Sequence, residues 1–171
     1  ILDASLVTTS QIIASAHSPE TLDKIRTKFS IETTPSNEVV AERSDILFLA
    51  VKPNKFAEVL PQIKDHLKSD CLIVSIAAGQ PIANIEAMLG NVKLVRAMPN
   101  TPALVGAAMS ALCPNDKVTP AEVKLVESLF NSFGRAEVVP ESMMDAVVGV
   151  SGSSPAYVYM FIEAMADAAV W

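Results

Sequence analysis

The stretch Asp45-Ile46-Leu47-Phe48-Leu49-Ala50-Val51-Lys52-Pro53 decides the fold. Asp45 to Val51 is a nearly unbroken apolar run, the pattern of a strand covered on both faces, and Pro53 stops it. Two more such runs lie downstream. Cys71-Leu72-Ile73-Val74-Ser75-Ile76-Ala77-Ala78-Gly79 is the second, and Val92-Lys93-Leu94-Val95-Arg96-Ala97-Met98, ended by Pro99, is the third. Helical stretches from about Asn54 to Leu67 and from Pro81 to Leu89 separate the three. Strands alternating with helices of about ten residues predict parallel βαβ units. Their crossovers are right-handed, which gives an open, doubly wound α/β sheet.

The flanks extend the same pattern. Upstream, Gln11 to Ala14 reads as a short buried strand and Pro19 to Phe29 as a helix capped by Ser18. Ile31 to Thr33 is extended, and Ser36 or Asn37 caps a brief helix to Arg43. Downstream, Ala107 to Cys113 reads as a further, antiparallel strand. Thr119 and Pro120 open a helix to about Phe133, Ala136 to Val139 is a last short strand, and Glu141 to Val148 is helical. Then Gly149-Val150-Ser151-Gly152-Ser153-Ser154-Pro155-Ala156-Tyr157 closes this architecture, and an apolar helix runs from Pro155 to Trp171. Ser154 is its expected N-cap and Pro155 its first residue. The two glycines are expected to take angles that side chains forbid, and free N–H groups at the helix start to favour an anion or carboxylate. Residues 1–150 therefore read as one domain and 151–171 as the start of another. Ile1 to Val7 reads as the end of a helix already under way, so the chain is expected to be a piece cut at both ends.

Composition narrows the function. The chain has 171 residues, half of them hydrophobic, and a net charge of −6 with no Lys/Arg cluster. That argues against nucleic acid and anionic membranes as partners. The final apolar helix carries Glu163 and Asp167 and is slightly short for a membrane span. These two carboxylates lie at i and i+4, on a solvent- or subunit-facing edge; Met160, Phe161 and Met165 form an apolar seam suited to another subunit. Cys71 and Cys113, far apart and beside strands, read as buried thiols in a reducing cytosol, which places the protein in the cytoplasm. His17 and His66 are isolated, and no metal site is legible.

In a doubly wound sheet, ligands bind at the carboxyl ends of the strands. Lys52-Pro53, Ala78-Gly79 and Pro99-Asn100-Thr101-Pro102 end three strands with polar or Gly/Pro chemistry and point to one edge. Ala14-Ser15-Ala16-His17-Ser18 ends the first strand, where a dinucleotide's adenosine ribose is expected. An NAD site places an acid there; hydroxyls and a histidine stand here instead, which favours NADP. Lys52 brings a cation to phosphates or ribose. The small residues of Ser75 to Gly79 let a flat ring approach the backbone.

The set AVKP (50–53), SIAAG (75–79) and RAMPNTP (96–102), followed by GVSGSSPAY (149–157), resembles the pyrroline-5-carboxylate reductases over essentially the whole chain. The resemblance implies a Rossmann-like, doubly wound, mostly parallel sheet followed by the first helix of an all-α dimerisation domain. It implies NADPH as cofactor, with NADH as the alternative, and hydride transfer to the imine carbon of 1-pyrroline-5-carboxylate to give L-proline. It implies a homodimer or higher homo-oligomer through the C-terminal helices. His17 and Ser18 match the 2′-phosphate end of the cofactor site, and Asn37 matches a cofactor-contacting Asn. Ala50, Val51, Lys52 and Pro53 match the adenosine and ribose side. Ile76, Ala77 and Ala78 match a loop beside the nicotinamide half, and Met98, Pro99, Asn100 and Thr101 match the nicotinamide pocket. Glu141, Ser151 and Gly152 match positions near the substrate. The family's opening strand with its Gly-rich turn and its later Ser-Pro-Gly-Gly-Thr-Thr-type substrate loop have no counterpart in this sequence. Trp171 replaces a Leu in the family's Leu-Gly-Gly continuation. No catalytic acid or base is visible, and the piece alone is expected to be inactive.

Other readings compete. A 3-hydroxyacid or 6-phosphogluconate-type dehydrogenase needs a Lys in the helix after the hinge, and residues 155–171 contain none. A serine hydrolase built on Ser151 needs a final Gly in G-x-S-x-G and a later His, and neither is present. A non-catalytic nucleotide-binding or dimerisation module would bind without turnover.

Overall fold

The structure is a computed structural model that describes residues 1–170; Trp171, the expected last residue of the final helix, lies outside the described residues. Among these, β1 (Ile13–Ser15) and β2 (Glu32–Thr34) pair in parallel as a small ribbon. The strands β3 (Ile46–Leu49), β4 (Leu72–Ser75), β5 (Lys93–Met98), β6 (Ala108–Pro114) and β7 (Gly134–Val138) form a five-stranded sheet in sequence order. β3, β4 and β5 are parallel, β6 runs antiparallel to β5, and β7 runs parallel to β6. The helices α1 (Pro19–Phe29), α2 (Asn37–Arg43), α3 (Phe56–Lys64), α4 (Ile82–Leu89) and α5 (Pro120–Asn131) make the connections.

Alternation along the strands builds two cores. Leu47, Leu49, Ile73 and Leu94 meet Phe56, Leu60 and Ile63 of α3 and Ile85 and Leu89 of α4. On the opposite face Leu72, Val74, Val95 and Leu112 meet Val126, Leu129 and Phe130 of α5. Leu60 and Ile85 are fully buried, each contributing about 1.5–3 kcal/mol relative to exposure.

The helix starts follow from local chemistry. Ser18 Oγ accepts from the Thr21 N–H and Ser36 Oγ from the Val39 N–H, each satisfying an orphan donor. Thr119 and Glu122 form a reciprocal capping box ahead of Pro120.

Several expectations are corrected. Ile1 to Val7 is turned rather than helical, because Ser5 adopts φ +54° and breaks any helical ladder. Residues Thr9–Gln11 form a 3₁₀ turn, closed by the Thr8 N–H donating to Gln11 Oε1 at 2.9 Å, so β1 starts later than Gln11. β3 is covered on one face more fully than the other: Leu47 and Leu49 are buried, while Phe48 is 36% exposed. The reason is position, since β3 is the end strand of its sheet. β4, in the interior, is buried throughout. Between β1 and β3 lies an open slot of about 730 Å³, lined by Ile13, Ala14, Leu47, Phe48 and the turned N-terminal segment.

The hinge also differs. A 3₁₀ turn (Glu141–Met143) leads into α6 (Met144–Val147), a π-helical turn (Val148–Gly152) and then α7 (Ser154–Val170). The path is helical throughout, and neither Gly149 nor Gly152 has a positive φ. Ser154 is no N-cap: its hydroxyl turns back onto the Val150 carbonyl. The Ser153 N–H is spent on the Val148 carbonyl at 3.1 Å. A helix that continues from before has no free N–H cluster, so the expected anion site at Ser154 is absent among the described residues. The wide turn suits Pro155, whose ring crowds the carbonyl four residues earlier in a regular helix.

Candidate functional site

Because β3, β4 and β5 are parallel and paired Leu49↔Ser75↔Arg96, their carboxyl ends point to one edge, with β5 running two residues further to Met98. The segments Ala50–Pro53, Ile76–Gly79 and Met98–Thr101 leave from that edge side by side. The slot between β1 and β3 reaches the same edge, where Ser15, Asn37, Ala50 and Val51 line it.

At the β1 end, His17 is exposed and Ser18 half-buried. The Ser18 hydroxyl caps α1 and donates to Thr21 Oγ1 at 2.8 Å. Across from it, the Lys55 ammonium holds the Glu58 carboxyl below its usual range, with a smaller contribution from His17. The turn after β1 and the start of α3 are therefore electrostatic neighbours. Asn37 is filled on both sides: Oδ1 accepts from Ser15 Oγ at 2.7 Å, and Nδ2 donates to Gln62 Oε1 at 3.0 Å. This chain of three side chains ties β1 to α2 and α3.

Lys52 is exposed and makes no ion pair among the described residues. Its backbone carbonyl accepts from the Lys55 N–H at 2.8 Å, which closes the turn into α3. After β4, Ile76 N–H donates to the Leu49 carbonyl at 3.3 Å. Ala77 is buried, Ala78 is exposed, and Gly79 takes φ +67°. That left-handed turn redirects the chain into α4 and leaves the Ala78 face clear of side chains.

After β5, Met98, Pro99 and Asn100 are half-buried and Thr101 is exposed at the start of a 3₁₀ turn, Thr101–Val105. Asn100 is held twice. Its Oδ1 accepts from the Met109 N–H at 2.9 Å, and its Nδ2 donates to Ser151 Oγ at 3.2 Å. Ser151 of the π-helical turn is thus brought to the β5 edge, with Gly152 next to it. Glu141 lies elsewhere: its Oε1 accepts from the Ile82 N–H at 2.7 Å and from Arg96 Nη1 at 3.2 Å.

Ser15, Gln62 and Arg96 carry contacts that were not singled out from sequence. Arg96 had a signal, since a cation inside an otherwise apolar strand demands a buried partner. Ser15 belongs to the hydroxyl-bearing segment that ends β1, whereas Gln62 had no signal, being an ordinary polar residue of its helix. Cys71 and Cys113 are buried free thiols, and burial pushes both pKa values up. Both are therefore poor nucleophiles.

The helix α7 differs from the rest in having no buried residue; Tyr157, Met160, Phe161, Ile162 and Met165 are each at least half exposed. Among the described residues no helix is long and apolar enough to cross a membrane.

Comparison with known proteins places these features in a family. Residues 2–79 match the model of NADP oxidoreductase, coenzyme F420-dependent, and residues 141–171 match that of pyrroline-5-carboxylate reductase dimerisation. The chain is 50% identical over 161 residues to the Escherichia coli K12 pyrroline-5-carboxylate reductase, covering 94% of this chain and 60% of that protein. A pyrroline-5-carboxylate reductase structure from Coxiella burnetii superposes with TM-score 0.90 at 34% identity, over 98% of this chain and 63% of that one. The Plasmodium falciparum pyrroline carboxylate reductase, solved with NADP bound, gives TM-score 0.88 at 35% identity, over 99% of this chain and 62% of that one. The chain thus spans about three fifths of the length of these relatives. The Rossmann-like sheet followed by the start of a dimerisation domain is the fold of the chain.

Proposed function

Because this chain belongs to the pyrroline-5-carboxylate reductase family, we propose that its sheet edge holds NADPH, with NADH as the alternative donor, for reduction of 1-pyrroline-5-carboxylate to L-proline. This is the final step of proline biosynthesis. The observation that carries the reading is the exit of Ala50–Pro53, Ile76–Gly79 and Met98–Thr101 from the carboxyl ends of three parallel strands, toward one edge. The residues suit an NADP-type cofactor. No acid follows β1, where a ribose 2′-hydroxyl would want one, and His17 and Ser18 stand there instead. Lys52, exposed and unpaired among the described residues, adds positive charge on the same side.

When bound, NADPH supplies the hydride. His17 and Ser18 would hold the 2′-phosphate end, and Asn37, fixed by Ser15 and Gln62, the neighbouring polar groups. Ala50, Val51, Lys52 and Pro53 would flank the adenosine and ribose. Ile76, Ala77 and Ala78 would give the nicotinamide half a smooth backbone surface, and Met98, Pro99, Asn100 and Thr101 would wall its pocket. Ser151 and Gly152, tied to that wall through Asn100, would lie toward the substrate. These are positioning tasks: they fix the donor against the imine carbon and exclude water. The substrate accepts the hydride best as its protonated iminium: the hydride adds to the ring carbon, the C=N π electrons pass to nitrogen, and the secondary amine of proline results without a covalent enzyme intermediate.

We assign residues 1–150 to the nucleotide-binding domain and 151–171 to the start of the helical one. A second copy of the chain covers the apolar face of α7, making a homodimer or a larger homo-oligomer, and the buried free thiols suit a cytoplasmic protein. The test is NADPH oxidation by the whole protein, rather than by residues 1–171 alone, on addition of 1-pyrroline-5-carboxylate, with proline identified by mass. Proline formed in step with NADPH loss is expected. NADPH binding without any proline would overturn the reading in favour of a non-catalytic nucleotide-binding module.

A further inference from the structure

Arg96 is the most deeply buried charge in the sheet, its side chain only 4% exposed at the centre of β5. A guanidinium there needs strong partners to offset its desolvation. Its Nη1 donates to Glu141 Oε1 at 3.2 Å, and its Nη2 lies 3.6 Å from Asp145 Oδ1. The same Glu141 oxygen accepts the Ile82 N–H at 2.7 Å. Ile82 is the first residue of α4, whose N-cap position is Pro81 and offers no side-chain cap. Glu141 therefore caps α4 from 59 residues away and neutralises Arg96 at once.

The placement gives the cluster a second meaning. Glu141 opens the helical run that continues through Ser151 into α7. Arg96 lies on the strand that continues into Asn100, and Asn100 Nδ2 reaches Ser151 Oγ at 3.2 Å. The hinge run is thus fastened to β5 at two points: Arg96 to Glu141 at its start, Asn100 to Ser151 toward its end. Met144, 1% exposed between them, packs into the core and removes the freedom to roll. The third tie, Glu141 to Ile82, reaches α4 just after the Ile76–Gly79 loop.

We propose that Glu141 is a positioning residue, not a substrate contact: with Arg96 it locks the hinge and the α4 start together, setting the separation between the nicotinamide-side loops and the helix α7. This rests on the nicotinamide reading only for its consequence in turnover. The clamp itself is a property of the fold, and its test has a readout for each.

The variants are Glu141→Ala and Glu141→Gln in the whole protein. Gln keeps an oxygen that accepts from both Ile82 and Arg96. Hydrogen exchange of Glu141→Ala is expected to speed about 10- to 100-fold at the Ile82 amide and across residues 144–153, the scale of losing a charge-assisted hydrogen bond. Amides of β4 stay protected in the same sample, and Glu141→Gln recovers most of the protection. In turnover, Glu141→Ala is expected to lower kcat about tenfold or more while the KM for the imine changes less than about twofold. Unchanged exchange at Ile82 would overturn the clamp, as would a rise in imine KM alone with kcat intact, which marks a substrate contact. If β4 also loses protection in Glu141→Ala, the Gln variant decides: protection retained supports the clamp, and wholesale loss refutes it. A wild-type protein without turnover would fail the proposed reaction and leave the exchange result to judge the clamp by itself.

Discussion

Gly134→Ala should destabilise the protein far more than a single methyl suggests. Gly134 begins β7, opposite Ala108 of β6. A Cβ added there would stand 2.2 Å from the Ala108 carbonyl oxygen, 2.5 Å from its nitrogen and 2.7 Å from its carbonyl carbon. All three are backbone atoms, so no rotamer change relieves the clash. An ordinary contact is about 3.5 Å, so the strands must part by roughly 1 Å at this end. Overpacking of this kind costs about 1–3 kcal/mol. The movement also pulls on the Ala108 N–H, which donates to the Phe133 carbonyl at 3.1 Å, and losing that bond adds about 1 kcal/mol. The sum, about 2–4 kcal/mol, corresponds for a chain of this size to a fall in Tm of roughly 5–15 °C. Thermal unfolding by circular dichroism, paired with urea titration, measures it. Gly149→Ala is the control: its added Cβ meets nothing within 4 Å and its φ is not positive. It should leave Tm unchanged or raise it slightly. A Gly134→Ala Tm within about 2 °C of wild type, at unchanged m-value, would refute the close approach of β6 and β7.

Other outcomes follow from the packing and charges. Glu122 is held at about pKa 2, chiefly by Lys93 Nζ and then by the Thr119 N–H and hydroxyl. Its ordinary value is 4.5, so its contribution is fully present above that pH and is lost as pH falls through about 2. Glu122→Gln should flatten the acid limb of stability between those values, and an identical limb would contradict the assignment. Leu60→Ala, at a fully buried α3 position, should cost about 2–5 kcal/mol by urea denaturation. Met165→Glu on the uncovered face of α7 should weaken self-association, seen as a smaller sedimentation coefficient at low concentration. An unchanged coefficient would count against that face as the subunit contact.

The legible parts of the fold were those fixed by local chemistry. Ser18-Pro19 and Thr119-Pro120 announce two helix starts because caps and Pro act within one turn. The Cys71–Gly79 run holds the interior strand it suggests, flanked in the sheet on both sides, but only over Leu72–Ser75, since Ile76–Gly79 leaves as a loop. Asp45 to Val51 carried the same apolar signal, yet β3 stands at the end of its sheet and leaves Phe48 half open; composition records side chains, not neighbours. The hinge misled for a different reason. Gly149-Val150-Ser151-Gly152-Ser153-Ser154-Pro155 has every mark of a helix break, yet a π-helical turn, with Ser154 returning onto Val150 and Ser153 onto Val148, keeps the path helical. At the candidate site, the motifs located the strand ends. They did not locate Gln62 or the bond from Ser15 to Asn37, which arise from the meeting of three elements, and they gave no sign that the Glu141 carboxylate is engaged by Arg96 and Ile82.

The slot between β1 and β3 has a consequence for behaviour in solution. Each of those strands has a ladder on one side only among the described residues, and their open sides flank an apolar groove. Unpaired strand edges are templates for β-pairing between molecules. The colloidal stability of this chain should therefore depend on concentration more steeply than its folding stability does. Light scattering should rise with concentration well below the unfolding temperature. A charge placed on the groove, as in Phe48→Lys, should suppress that rise even though it removes apolar contact and lowers Tm.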